Sequence, residues 1–152
     1  MPLSSAAGVV LACLIVGVSD GDTLTARCDP TSNATAQTLK VRLAEIDAPE
    51  KAQPFGARSK AHLASLCFGR AAQVRAQTVD RYGRTVARVW CDGVDANAEQ
   101  VRVGLAWAYE RYLKDERLLA VQTDAREAQR GLWADVQPVP PWEWRRARRV
   151  AL

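Results

Sequence analysis

Five strand patterns and three helix patterns alternate along the chain, and they predict an α+β fold built on a small Greek-key β-barrel. The strand patterns are short, rich in β-branched residues and bounded by turn residues. The helix patterns place apolar residues on one face at helical spacing. A chain of 152 residues is long enough for one domain with a substantial core. These observations together predict one five-stranded barrel with three α-helices.

The strand patterns begin with a β-hairpin over residues 13–28, in which Asp20-Gly21 is the turn signal. The other strands are predicted at residues 38–46, 72–78 and 85–91. In the third strand Val41 and Leu43 alternate towards the core, and Arg42 faces outward.

The helices are predicted at residues 57–66, 97–103 and 115–130. In the second helix Asn97 is the expected N-cap, with Gln100 at the reciprocal capping position. The third helix carries an apolar stripe at Leu118, Val121, Ala125, Ala128 and Leu132. Five short strands with interposed and terminal helices are typical of the OB-fold.

The ends of the chain differ in composition from this domain, which we place at residues 13–136. Residues 1–12 are expected to be a truncated export signal or a disordered N-terminus, because an apolar run is present without a preceding positive charge. The run over residues 6–18 is too short to span a membrane, so no membrane span is expected. Residues 137–152, rich in Pro, Trp and Arg, are expected to form an extended tail that is either solvated, docked or bound to nucleic acid.

The four cysteines predict two disulfide bonds in an exported protein. A two-residue turn at Asp20-Gly21 places Cys13 opposite Cys28, within disulfide range. Cys67 and Cys91 then pair by elimination. The alternative is four reduced, buried thiols in a cytosolic protein.

The charge balance favours an anionic partner only weakly. The net charge is +4, and most positive residues are Arg, which binds phosphate through a planar fork.

Two carboxylates are expected to converge at one rim of the barrel. Asp22 follows the hairpin turn, and Asp47 ends the third strand. With a backbone carbonyl and waters they suit Ca²⁺, which takes about 6–8 oxygen ligands. Zinc is disfavoured because no His or Cys is nearby. Either residue alone is equally well explained as an ordinary turn or loop carboxylate.

Three further charged residues can supply hydrolytic chemistry next to such a metal. Glu50 lies three residues after Asp47, where it can act as a general base for water. Arg42 and Arg84 can hold a phosphate as negative charge develops on it. Each of the three is otherwise an ordinary surface residue.

The charged segments resemble the signatures of the staphylococcal-nuclease-like, or thermonuclease, family. The matching segments are Asp20–Thr23, Arg42 with Asp47–Glu50, Asp80–Arg84, Asn97–Ala106 and Gly131–Trp133. The resemblance covers roughly residues 14–135. It implies an OB-fold barrel with three helices and a Ca²⁺-dependent, sugar-non-specific phosphodiesterase that cuts DNA and RNA and leaves 3′-phosphates.

The resemblance also implies a role for individual residues. The catalytic positions are matched by Arg42, Glu50 and Arg84. The calcium positions are matched by Asp22, Asp47 and the carbonyl of Ala48. The substrate positions are matched by Tyr82 with Arg81 beside it, and by Tyr109 and Tyr112, between which the base-stacking role is undecided. The short loop after Glu50 and the four cysteines depart from the best-known member.

The main alternative is a non-catalytic nucleic-acid-binding OB-fold module, and a protein-interaction module is a third. The complete set of charged positions favours the enzyme, with DNA and RNA as substrates. The protein is expected to be a monomer. His62 is expected to be an exposed residue without a role, and Trp133 a core residue.

Overall fold

Five long strands close into a barrel in the computed structural model, which describes residues 9–30 and 35–151. They are β1 (Val10–Asp20), β2 (Thr23–Cys28), β3 (Gln37–Leu43), β5 (Ala71–Val79) and β6 (Thr85–Cys91). Antiparallel pairing follows the order β3-β2-β1-β5-β6, and a parallel pairing of β3 with β6 closes the ring. This is the predicted OB-fold, and the fold class is confirmed.

Short strands and helices complete the described chain. The short strands are β4 (Ile46–Asp47), β7 (Val94–Asp95) and β8 (Trp107–Ala108). The α-helices of the described residues are α1 (Gly56–Cys67), α2 (Ala96–Arg102), α3 (Arg117–Glu127) and α4 (Pro141–Ala151), one more than predicted. Single 3-10 turns occupy Glu110–Tyr112 and Gly131–Ala134. None of the helices in residues 9–30 and 35–151 has the length and apolar character needed to cross a membrane.

Both predicted disulfides are present, but the turn that was used to predict the first one is shifted by a residue. The turn residues are Gly21 and Asp22 rather than Asp20-Gly21. Two bulges in β1 restore the register, so that Cys13 lies opposite Cys28 and bonds to it. Cys67, at the end of α1, bonds to Cys91, at the end of β6.

The barrel interior is apolar, as the strand patterns predict. Val41 and Leu43 point into it, while Arg42 lies on the opposite face of β3, where it is mostly covered rather than exposed. Trp133 belongs to a second small core with Ala125 and Leu132, which confirms it as a core residue.

Several predicted element boundaries were wrong for identifiable reasons. The third strand ends at Leu43 because Glu45 adopts a left-handed φ of 70° in a turn. The N-cap of α2 is Asp95, whose side chain accepts a hydrogen bond from the Ala98 N–H. Asn97 and Gln100 do not cap the helix, and their buried side chains donate to backbone carbonyls elsewhere in the barrel. A left-handed φ of 54° at Gln129 ends α3 before residue 130.

The two ends of the chain were also mispredicted in part. β1 begins at Val10, where it pairs with β5. The barrel therefore includes three of the residues that were predicted to form an export signal or a disordered N-terminus. Residues 1–8 lie outside the described residues. The tail is not extended, because Pro141 begins the helix α4, and proline is favoured at the first helical position.

Candidate active site

Asp22 is fixed by the packing of its turn against two helices. A Cβ at Gly21 would overlap the Ser59 hydroxyl of α1, so only glycine permits this approach. The Gln100 side chain, fully buried in α2, donates from Nε2 to the Gly21 carbonyl at 2.7 Å and to the Ser59 carbonyl at 3.0 Å. Gln100 therefore holds the turn that carries Asp22.

His62 takes part in the same network, so its prediction as an exposed residue without a role was wrong. Its Nδ1 lies 2.6 Å from Gln100 Oε1, and its side chain is half-buried. The contact orients the Gln100 amide, whose Nε2 then faces Gly21 and Ser59. A single polar side chain within a predicted helix gave no indication of this contact.

Asp47 is placed by a second buried amide and by the pairing of β4 with β8. The Asn97 side chain donates to the carbonyls of Ala44 and Ala87, at 2.9 and 3.1 Å, and so ties the turn before β4 to β6. Asp47 itself lies opposite Trp107 of β8. Its side chain is fully buried.

Arg42 contacts both carboxylates, which the sequence predicts to converge at one rim, although the contact itself was not predicted. Its Nη2 lies 3.2 Å from Asp47 Oδ1 and 3.5 Å from Asp22 Oδ2. Its Nη1 donates to the carbonyls of Leu43 and Ile46, which fixes the guanidinium at the rim. Two carboxylates and one guanidinium thus share a single buried position.

The donor set at this position fits a hard divalent cation. Asp22 Oδ2 also accepts from the Ala48 N–H at 2.8 Å, so Asp22, Asp47 and the backbone at Ala48 are neighbours. All available ligands there are oxygens, which suits Ca²⁺ and not zinc. Among the described residues no group of three or more His, Cys, Asp or Glu side chains is arranged to hold a metal ion.

A second arginine, which the sequence analysis did not identify, enters the site from α4. Arg145 donates from Nη2 to Asp47 Oδ2 at 2.7 Å and from Nη1 to Asp47 Oδ1 at 3.1 Å. Its Nη1 also lies 3.6 Å from Glu50 Oε2. The prediction of an extended tail hid this residue, although Pro141 followed by a run without Gly or Pro is a helix signal.

Glu50 lies next to Asp47 and reaches solvent. Its side chain is 38% exposed. The loop that carries it is closed by Gln53, whose Oε1 accepts from the Glu50 N–H and whose Nε2 donates to the Val139 carbonyl at 2.7 Å. The short loop that departs from the family pattern is therefore tied to the segment before α4.

Burial and neighbouring negative charge raise the pKa of Asp20, Asp47 and Glu50. Burial raises the pKa of Asp47, and the charge of Asp22 adds to this, although Arg145 and Arg42 oppose it. Burial likewise raises the pKa of Glu50 against the opposing charge of Arg145, with contributions from Asp22, Asp47 and Asp20. The same causes raise the pKa of Asp20. The site therefore has an excess of negative charge that a bound cation would relieve.

Arg84 is held in its own turn. Its Nε donates to Asp80 at 2.8 Å, and its guanidinium lies 5.5 Å from the Tyr82 ring centroid. Arg81 covers the same ring and donates to the Tyr82 hydroxyl. Within the described residues no hydrogen bond or ion pair joins this turn to Asp47 or the other site carboxylates, although the parallel pairing of β6 with β3 places it beside Arg42.

The two candidate stacking tyrosines differ in their surroundings. Tyr109 is half-buried, and the Trp142 ring of α4 is stacked on it at 5.2 Å with an interplanar angle of 3°. Tyr112 contacts the edge of Tyr109 and is 54% exposed.

The barrel and its rim define a class of protein, an OB-fold whose rim carries buried carboxylates bounded by arginines. Residues 40–135 match the family described as "Staphylococcal nuclease homologue". The chain is 44% identical over 138 residues to an uncharacterized endonuclease of Haemophilus influenzae, with 91% of this chain and 75% of the relative covered. It is 40% identical over 148 residues to a micrococcal nuclease of Shigella flexneri, with 90% and 82% covered. The chain therefore belongs to the staphylococcal nuclease homologue family.

Proposed function

We propose that this protein is a Ca²⁺-dependent endonuclease that hydrolyses phosphodiester bonds of DNA and RNA and leaves 3′-phosphate ends. The observation that carries the proposal is the convergence of Asp22, Asp47 and Arg42 at one rim, with Glu50 beside them. The names of its relatives, endonuclease and micrococcal nuclease, support the same activity.

The metal would be held by the carboxylates of Asp22 and Asp47 and by the backbone carbonyl of Ala48. When bound, Ca²⁺ supplies a positive charge that polarises the phosphate and stabilises the developing negative charge. The protein prepares this position by holding Asp22 with the Ala48 N–H and the Thr23 hydroxyl.

Glu50 is the proposed general base. It is partly exposed, so a water molecule can reach it, and its raised pKa makes it a better proton acceptor than an ordinary glutamate. Because the Gln53 side chain fixes its loop, the carboxylate is oriented before substrate binds.

The arginines and tyrosines would bind the nucleic acid. Arg42 faces the scissile phosphate from within the site, and its two carbonyl contacts hold the guanidinium in place. Arg84 would complete the phosphate clamp by leaving Asp80, and Tyr82 with Arg81 would bind a neighbouring phosphate. Tyr109 or Tyr112 would stack on a base.

Export from the cytoplasm and a monomeric state complete the proposal. Two disulfides support an oxidising compartment, since such bonds are rare in cytosolic proteins.

The test is cleavage of denatured DNA and of RNA with Ca²⁺, with Mg²⁺ and with EDTA, followed by mapping of the product ends. We expect Ca²⁺-dependent cutting that leaves 3′-phosphates. Glu50→Gln should lower turnover by about 10²–10⁴-fold, because the base is lost while the fold is kept.

Glu127→Gln, which removes an exposed carboxylate at the end of α3, is the matched control and should behave as the wild type. Nucleic-acid binding without cleavage, alike in wild type and Glu50→Gln, would instead identify a binding module.

A further inference from the structure

The guanidinium of Arg145 lies where the proposed cation site opens. It donates to both oxygens of Asp47, and the same Nη1 lies within ion-pair distance of Glu50. One side chain of α4 therefore bridges the proposed metal ligand and the proposed general base. A guanidinium bound to both oxygens of a carboxylate covers the edge that a metal ion uses.

A second side chain of α4 covers the aromatic part of the site. Trp142, one helical turn before Arg145, is stacked face to face on Tyr109 and contacts the edge of Trp107. Tyr109 is one of the two candidates for stacking on a nucleobase. The positions of both a cation and a base are thus filled by side chains of the same helix.

The charges on Arg145 and on the site carboxylates stabilise this arrangement. Burial alone lowers the pKa of Arg145, but its hydrogen bond to Asp47 and the charges of Asp47 and Glu50 outweigh burial and raise it. The guanidinium therefore satisfies part of the excess negative charge of the carboxylates.

The side of α4 that carries its later arginines faces a cavity. A cavity of about 410 Å³ lies between the helix and the loop after Glu50. Besides Arg145, the cationic side chains that line it are those of Lys51, Arg148 and Arg149. The carboxylates of Asp20 and Glu50 line the same cavity. Trp142 and Arg145 of α4, and the Val139 carbonyl just before the helix, contact the barrel and its loops directly.

We propose that α4 is an autoinhibitory latch, in which Arg145 occupies the cation position at Asp47 and Trp142 covers Tyr109. The docked helix and Ca²⁺ then exclude each other, since both require the oxygens of Asp47. This inference rests on the proposed function, because it assumes that Asp47 is a calcium ligand. By linkage, Ca²⁺ lowers the affinity of α4 for the barrel by the same factor as α4 lowers the affinity for Ca²⁺.

Calcium binding to the full chain, measured by calorimetry, tests the latch. Arg145→Gln should bind Ca²⁺ about tenfold or more tightly than the wild type, because no guanidinium has to leave Asp47 before Ca²⁺ binds. Arg146→Gln removes the same charge from an exposed position of the same helix and should bind as the wild type does. Trp142→Ala keeps every charge but loosens the helix, so it should also bind Ca²⁺ more tightly.

Hydrogen exchange supplies an independent readout. Saturating Ca²⁺ should increase the exchange of the amides of α4 in the wild type. Equal calcium affinities in wild type, Arg145→Gln and Trp142→Ala, or unchanged exchange in α4, would overturn the latch and leave the metal site standing. Absence of calcium binding in all the proteins would overturn the metal site and the latch together, and Asp47→Asn marks that baseline.

Discussion

Two buried clusters in this barrel are built from arginine and carboxylate side chains, and their carboxylates differ in pKa. The first is the candidate active site at the rim. The second, which we name the Arg88 cluster, consists of Arg88, Glu45, Asp95 and Asp115. In the site the pKa of Asp47 is raised, mainly by burial, whereas in the Arg88 cluster the pKa of Glu45 is lowered in spite of burial.

The difference comes from the groups that donate to each carboxylate. Glu45 accepts from the backbone N–H groups of Lys114 and Asp115, each at 2.7 Å, and from the Gln77 side chain. These donors lower the pKa of Glu45 more than burial raises it. The Asp47 carboxylate has only arginine side chains as donors among the described residues, and one of them comes from α4.

The comparison separates a structural use of buried charge from a functional one. Backbone donors cannot leave without unfolding, so the Arg88 cluster ties the turn before β4 to the segment before α3. Side-chain donors can leave, so the carboxylates of the site remain available to another cation. Similar residue types therefore serve stability in one region and the proposed ligand binding in the other.

The largest effect on stability is expected for Arg88→Met. Arg88 is 5% exposed and contacts three carboxylates, so its loss leaves buried negative charge without a partner. We expect the free energy of unfolding to fall by about 3–5 kcal/mol, as measured by urea denaturation. Arg27→Met, at an exposed position of β2, is the control. Equal stability of the two variants would contradict the structural role of the cluster.

An intermediate effect is expected for Glu45→Gln. Both backbone N–H groups donate to one Glu45 oxygen, which the amide keeps only as a neutral acceptor. The NH₂ group replaces the oxygen that faces Gln77 Nε2 and Arg88, so charge-assisted hydrogen bonds are lost. The expected loss is about 1.5–3 kcal/mol in the same assay. Glu116→Gln removes an exposed charge near the same segment and should change stability by less than about 0.5 kcal/mol. A loss no greater than that control would mean that the backbone donors do not distinguish the clusters.

The smallest effect on stability is expected for Glu50→Gln, the variant that should abolish most of the activity. Among the residues that the structure describes, Glu50 forms one ion pair, a 3.6 Å contact with Arg145, and its side chain reaches solvent. We expect the free energy of unfolding to change by less than about 1 kcal/mol. A loss as large as that of Arg88→Met would show that the site carboxylates are structural as well, and the comparison would fail.

The hairpin shows how much of the fold followed from local pattern. Strand alternation and a predicted Asp20-Gly21 turn were enough to pair Cys13 with Cys28, although the turn lies one residue later and two bulges compensate. The inward positions of Val41 and Leu43 were predicted for the same reason, because side chains alternate along any strand.

The polar residues of α2 show where local pattern was insufficient. Asn97 and Gln100 fit a helix cap, yet both are buried amides that hold the turns carrying Asp47 and Asp22. A helix-capping residue and a buried amide that holds a distant turn by hydrogen bonds have the same local sequence pattern. Which role is adopted depends on strands that are distant in the chain.

The sequence by itself determined the barrel, the cysteine pairing and the order of the charged motifs that would bind metal and phosphate. These features depend on periodicity and turn chemistry among neighbouring residues. Only the tertiary structure decided that Arg145 enters the site, since it lies 98 residues after Asp47. A polar side chain forms hydrogen bonds with the groups that the fold brings close to it. The residues nearby in the chain do not determine which groups those are.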